Sequence, residues 1–365
     1  MSSNAQNKLI VRSVDDIVDA VQSAVSDGTV LSAARHVAGN TLQLDLSSMN
    51  AVVEYPARDM TITVEAGMTL QTLTSLLRAE GQQLPVDVAD PQMTVGAFVA
   101  SNPAGPRQYG YGTLRDYLIG IEAVDGHGRV FHAGGRVVKN VAGYDLCRLM
   151  VGSRGSLGIL NQLTFKLKPV PEHFAVQRWQ FADESDVAAS LDSLNKSAAR
   201  PVIIDLDSPG GSRWFLSVGV EGPPNVCEWQ IGQVNYDMSH SISSELLAPD
   251  LTAAMKYCGD AAHRHRETET VAVVKTLPSQ LLRICNIFNE HKYSANCHAG
   301  NGVIVVQSKH SGTLPEHVVD QIEALLKDHG GHFRRYANND SVSQRRDGVF
   351  STGLTAAFDP GQVFV

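Results

Sequence analysis

Between Leu84 and Pro171 the chain carries a series of short segments, most of them containing glycine, several with side chains that can hydrogen-bond. They are Asp90-Pro91, Thr94-Val95-Gly96, Ser101-Asn102-Pro103-Ala104-Gly105-Pro106-Arg107, Tyr109-Gly110-Tyr111-Gly112, Arg115-Asp116 and Gly152-Ser153-Arg154-Gly155-Ser156-Leu157-Gly158-Ile159. Glycine lacks a Cβ, so backbone N–H groups in such loops can approach an extended anionic ligand. Thr94-Val95-Gly96 precedes the apolar Phe98-Val99-Ala100, which predicts donors at a helix start. Ser101 and Asn102 add side-chain hydrogen bonds, and Gly105 permits a tight turn that Pro106 stiffens. Arg107 and Arg115 offer cations to a diphosphate; pairing of Arg115 with Asp116 is the alternative. Leu157-Gly158-Ile159 combines backbone donors with an apolar lining suited to a ring system. No G-x-G-x-x-G opens a βαβ unit and no G-x-x-x-x-G-K-[ST] occurs, which disfavours the common nicotinamide and P-loop sites. Glycine loops also occur without ligands, so these residues alone leave a structural reading open.

The elements that must hold these loops are readable from periodicity. Leu9-Ile10-Val11 reads as a strand, and Ser13 caps a helix with Val14, Ile17, Val18, Val21 and Val25 on one face, ended by Asp27-Gly28. Leu42, Leu44 and Leu46 alternate as in a half-buried strand. Thr61–Gly67 is a further strand, followed by a helix capped by Thr69 and stopped at Gly81. From Ile119 the pattern turns to antiparallel strands: 119–124 and 129–132 flank Asp125-Gly126-His127-Gly128, a hairpin signal. Asn161–Leu167 is another strand, and Pro169 with Pro171 marks a domain boundary. Beyond it, strands at 174–181, 202–206, 214–220 and 271–274 mix with helices at 185–194, 224–236, 279–289 and 315–327, which predicts an α+β cap. The expected domains are therefore residues 1–171 and 172–365.

With 365 residues, 43% hydrophobic and 19% charged, the chain reads as a two-domain globular protein. A formal net charge of −8 argues against nucleic acid, which needs clustered Lys and Arg. No apolar run approaches the ~20 residues of a spanning helix, and the N-terminus lacks the pattern of a signal peptide. A cytoplasmic protein follows, with peripheral attachment at the inner membrane through partners left open. The five cysteines, Cys147, Cys227, Cys258, Cys285 and Cys297, form no C-x-x-C pair. They read as free thiols rather than as ligands of zinc or an iron–sulfur cluster, and no metal site is expected.

The order and wording of the loops resemble the flavin-binding (PCMH-type) domain of the vanillyl-alcohol-oxidase superfamily, from about Leu9 to Pro171 and weakly again at Phe358-Asp359-Pro360-Gly361. Lys139-Asn140-Val141-Ala142-Gly143-Tyr144-Asp145-Leu146 points further, to the FAD-binding subunits of bacterial glycolate oxidases; a plain helix start is the alternative for this segment. The resemblance implies a two-subdomain FAD-binding domain followed by an α+β cap of FAD-linked oxidase type, with FAD as cofactor. It implies FAD contacts at Asp90, Pro91, Thr94, Val95, Gly96, Ser101, Asn102, Gly105, Arg107, Gly110, Gly112, Gly155, Leu157, Gly158 and Ile159. Its implied partners are a paralogous larger flavoprotein subunit, an iron–sulfur subunit and, through the complex, glycolate or a similar 2-hydroxyacid.

Two departures from the family's pattern matter. The family has a glycine-rich, pyrophosphate-cradling loop after its first helix; here Val30–Asn40 keeps only Gly39. His36 in that stretch could in principle carry flavin covalently, but an exposed histidine is the simpler reading. In the cap, related 2-hydroxyacid dehydrogenases carry a second histidine where this chain has Val305; only His298 of His298-Ala299-Gly300-Asn301-Gly302 is present. A base must reach the substrate hydroxyl as hydride leaves for the flavin, so His298 is the one weak catalytic candidate, against a turn or core histidine. Three functions remain: an FAD-binding subunit relaying electrons from glycolate oxidation to an iron–sulfur partner, a scaffold subunit without FAD, or a stand-alone flavin-dependent 2-hydroxyacid oxidase.

Overall fold

Ser13 caps the helix Val14–Asp27 through a reciprocal box with Asp16, and Gly28 ends it at φ 66°. That helix packs Ile17, Ala20, Val21 and Ala24 onto a small parallel sheet ordered Lys8–Ile10, Thr41–Asp45, Val30–Ser32. The computed structural model describes residues 8–33, 41–135, 145–211, 213–264, 270–308, 314–335 and 349–364. A second, five-stranded antiparallel sheet runs Val52–Glu54, Thr61–Glu65, Ile159–Lys166, Leu118–Val124, Val130–Gly134. At the predicted hairpin the Asp125 carboxylate collects the N–H groups of His127 and Arg129 together with the Arg129 guanidinium. Leu70, Leu73 and Leu77 of the helix Leu70–Ala79, with Val95, Phe98 and Val99, close the core over this sheet.

The cap is an eight-stranded antiparallel sheet ordered Ser243–Ala248, His173–Phe181, Trp214–Gly222, Ile203–Ser208, Ser294–His298, Val303–Gln307, Thr270–Thr276, Gly331–Arg335. Strand residues alternate between faces. One face gathers Val187, Val234, Ile284, Phe288 and Ile322 from four helices. The other takes Ala254 and Cys258 of the helix Leu251–His263 onto Phe174, Val176 and Ile203. All five cysteines are buried and unbridged. The chain thus has the expected α+β fold, two small subdomains and a larger cap.

Among the described residues, strands before Pro171 pair only with one another, and so do those from His173 to Arg335. This supports a proposed boundary at the proline pair. The last residues return to the first unit: Phe364 bridges beside Leu31 in parallel, and the buried Asp359 carboxylate accepts the N–H groups of Val363 and Phe364. Phe364 is 1% exposed in the core of the small sheet. Phe364→Ala should therefore cost about 3–5 kcal/mol, read by urea unfolding of the full chain; a loss below about 1 kcal/mol would show that the tail does not hold this subdomain.

Candidate functional site

The short helix Val95–Ser101 is capped by Thr94, whose hydroxyl accepts the Ala97 N–H at 3.3 Å. Its next two donors are already used. Val95 N–H bonds Met68 O at 2.8 Å and Gly96 N–H bonds Ala66 O at 2.8 Å. A Cβ on Gly96 would stand 2.9 Å from the Ala66 Cβ. The expectation that Val95 and Gly96 donate to a phosphate is therefore corrected: the glycine serves close packing of helix on strand end. Asp90, half-buried, accepts the Gln92 N–H, and the exposed Pro91 accepts the Gln71 N–H at its carbonyl.

Ser101 bonds back to Phe98 O, and Asn102 ends the helix in the left-handed region at φ 46°. Gly105 is forced by a neighbour, since a Cβ there would fall 2.4 Å from Asp87 Oδ2. The cause is Arg107. Its side chain is 1% exposed, and its Nε donates to Asp87 Oδ1 at 2.7 Å. Nη1 donates to Gln83 Oε1, Nη2 to Val86 O and the backbone N–H to Asp87 Oδ2. Burial opposes the Arg107 charge, but the Asp87 carboxylate overcomes it and raises the pKa. Arg107 is thus an internal strut and not a cation offered to a diphosphate, a second correction. Gly110 presses against Val202, where a Cβ would meet the backbone at 2.6 Å, and Gly112 turns at φ 87°. The Asp116 carboxylate accepts both donors of Thr113, so capping and not Arg115 claims it.

The stretch Gly152–Gly158 lies against the end of the same helix. Gly152 N–H bonds Val99 O and Arg154 N–H bonds Ala100 O. Gly152, Arg154 and Gly155 all have positive φ, at 82°, 56° and 81°. Backbone turned in this way forms concavities lined by N–H groups. A Cβ on Gly155 would meet nothing within 4 Å, whereas one on Gly158 would stand 2.6 Å from Val124 O. Leu157 and Ile159 point into the two cores, 6% and 2% exposed. Their side chains pack the fold, which corrects the expected apolar lining and leaves the backbone as the available surface. Among the described residues the N–H groups of Ala104, Gly105, Gly155, Leu157 and Gly158 bond no protein acceptor. Ser153 Oγ is buried with no partner. Donors of this number, on two loops that both attach to the end of the helix Val95–Ser101, fit a dinucleotide phosphate; the helix start and Arg107 do not.

His298 lies in the cap, 5% exposed, with Nδ1 2.8 Å from Asp205 Oδ1. Asp205 Oδ2 accepts the Tyr257 hydroxyl at 2.9 Å, and burial followed by the Asp205 charge pushes the Tyr257 pKa well up. No group of three metal-ligating side chains occurs among the described residues. His36 and residues 139–144 lie outside the described residues; Asp145 caps the helix Leu146–Met150. Asp87, Gln83, Asp205 and Tyr257 escaped sequence reading because their partners are 20 or more residues away. Ser153 lay inside a glycine segment whose turns could have singled it out.

Residues 6–134 match the family described as FAD binding domain. Glycolate oxidase subunit GlcE of Escherichia coli (strain K12) is 37% identical over 166 residues, 42% of this chain and 47% of the relative. Glycolate oxidase subunit GlcD of Bacillus subtilis (strain 168) is 38% identical over 132 residues, 36% of this chain and 28% of the relative. The mitochondrial D-lactate dehydrogenase [cytochrome] of Arabidopsis thaliana is 32% identical over 181 residues, 47% of this chain and 32% of the relative. The matches thus span less than half of each relative. A solved structure of alkyldihydroxyacetonephosphate synthase shares the fold, with a TM-score of 0.69 at 17% identity over 98% of this chain and 75% of that one. No helix among the described residues is long and apolar enough to cross a membrane.

Two outcomes follow from this geometry. Gly96→Val should destabilise the flavin-free protein by about 1–3 kcal/mol through overpacking on Ala66; unchanged stability with weakened FAD retention would return Gly96 to a phosphate role. Burial raises the Glu221 carboxyl above its usual range, despite the Tyr111 hydroxyl and Arg107, which both lower it. A raised carboxyl adds stability in acid and loses it as pH rises through the folded value. Glu221→Gln should thus gain on the wild type in melts as pH rises, and lose that gain below about pH 4; a pH-independent difference would contradict the assignment.

Proposed function

We propose that this chain is the FAD-binding subunit of a glycolate oxidase-type complex, relaying electrons from 2-hydroxyacid oxidation to an iron–sulfur partner beside a larger paralogous flavoprotein. The observation that carries the reading is the pair of loops 101–107 and 152–158, in which the N–H groups of Ala104, Gly105, Gly155, Leu157 and Gly158 and the buried Ser153 hydroxyl have no protein partner among the described residues. The likeness to two glycolate oxidase subunits supports the choice of complex.

FAD, when bound, supplies two-electron acceptance and one-electron release. The chain's part is to hold it. Ala104, Gly105, Gly155, Leu157 and Gly158 would donate main-chain N–H groups to it, and Ser153 its hydroxyl. The Asp87–Arg107 pair fixes the first loop from behind, and the Val99 and Ala100 carbonyls fix the second. His298 is committed to Asp205, and Val305 is a buried apolar residue. Neither presents a base to a substrate hydroxyl, which argues against a stand-alone oxidase and assigns substrate oxidation to the partner.

Purified full-length chain, alone and co-expressed with its partners, should carry flavin absorbance near ~450 nm in at least the assembled state. It should not turn over glycolate by itself. Colourless protein in both states would favour the FAD-free scaffold, and turnover by the isolated chain would restore the stand-alone oxidase.

A further inference from the structure

We infer that the cap turn His298–Gly302 is a clasp that sets the Ser101–Arg107 loop in its dinucleotide-holding shape, with Asn301 as its positioning residue. The inference rests on the reading that this loop holds FAD, and names what fixes it from the opposite unit. Asn301 Nδ2 donates to Gly105 O at 3.3 Å, a bond between residues 196 positions apart. Beside it, Gly300 seats the Tyr109 ring so closely that a Cβ would stand 2.2 Å from the ring Cδ2. Gly110 N–H then reaches Val202 O at 3.2 Å, and the Tyr111 hydroxyl donates to Glu221. The helix Gln108–Tyr111 is therefore gripped by two cap strands, Ile203–Ser208 and Trp214–Gly222, and by the turn.

The turn itself is rigidly mounted. His298 is held by Asp205, which is held in turn by Tyr257. Gly302 adopts φ 68°, a conformation that favours glycine, and its carbonyl accepts the Thr276 N–H at 2.8 Å. The motif that would serve substrate with a second histidine thus has another use here. With the Gly105 carbonyl tied to Asn301 and the Arg107 N–H tied to Asp87, Ala104 and Gly105 are left as the unbonded donors of a loop fixed at both ends. Donors ordered before binding avoid the entropy of ordering on binding. That matters in a chain whose upstream segment Val30–Asn40 offers one glycine, because the downstream loops must then supply most of the grip.

The test uses full-length chain stripped of flavin and titrated with FAD. Asn301→Leu keeps the size and removes the donor; Tyr109→Ala empties the seat on Gly300. Both should raise the FAD dissociation constant, the first about three- to tenfold. The fluorescence of bound FAD should rise toward that of free FAD, while the melting temperature of the flavin-free Asn301→Leu chain stays unchanged. Wild-type affinity and wild-type bound-FAD fluorescence in both variants would overturn the clasp, as would a lowered melting temperature with unaltered affinity. Failure of the wild type itself to bind FAD, alone and with partners, would instead strike the functional reading on which the clasp rests.

Discussion

A desolvated ion pair dictates the shape of the candidate site. Asp87 and Arg107 have side chains only 2% and 1% exposed, and such charges are tolerated only when every donor finds an acceptor. Arg107 meets that demand through Asp87, Gln83 and the Val86 carbonyl, with the Tyr111 ring 6.0 Å from the guanidinium. Gly105 must be glycine because the carboxylate occupies the space a side chain would take. Removing one partner would leave an uncompensated buried charge, a loss of about 3–5 kcal/mol. Charge satisfaction, more than hydrophobic packing, fixes where this loop runs.

The rest of the site is arranged around that strut. The helix Val95–Ser101 directs its end toward Gly152–Gly158, and carbonyls of Val99 and Ala100 anchor the second loop. The cap closes from the other side through Asn301, Val202 and Glu221. What remains uncommitted is backbone N–H and one buried hydroxyl, a surface for phosphate and not for acid–base chemistry. In the cap's own polar centre, His298 and Tyr257 are both bonded to Asp205. A division of labour with a partner subunit is consistent with both facts.

Elements whose cause is local were legible from the sequence. Ser13 with Asp16, Gly28 at the helix end and the Asp125-Gly126 hairpin act through neighbours within four residues. The glycine segments stood out in the sequence, yet the roles of Gly96, Leu157, Ile159 and Arg107 depended on distant partners: Ala66, two cores and Asp87. Strand Val303–Gln307 is apolar at four consecutive positions and shows no alternation, because it is buried on both faces of the cap sheet. Helix Leu251–His263 buries mainly alanines, which blunt the periodic signal that larger side chains give. Strand Thr61–Glu65 was foreseen, but its partner Ile159–Lys166 lies about a hundred residues on, where pairing leaves no local trace.

Amide hydrogen exchange of the full chain with and without FAD tests the central claim most directly, because it reads single segments of backbone. Binding should slow exchange at 104–105 and 155–158 and leave Val95 and Gly96 as they are, since those two amides already bond Met68 and Ala66. Protection appearing at 95–96 while the two loops stay unchanged would contradict the account.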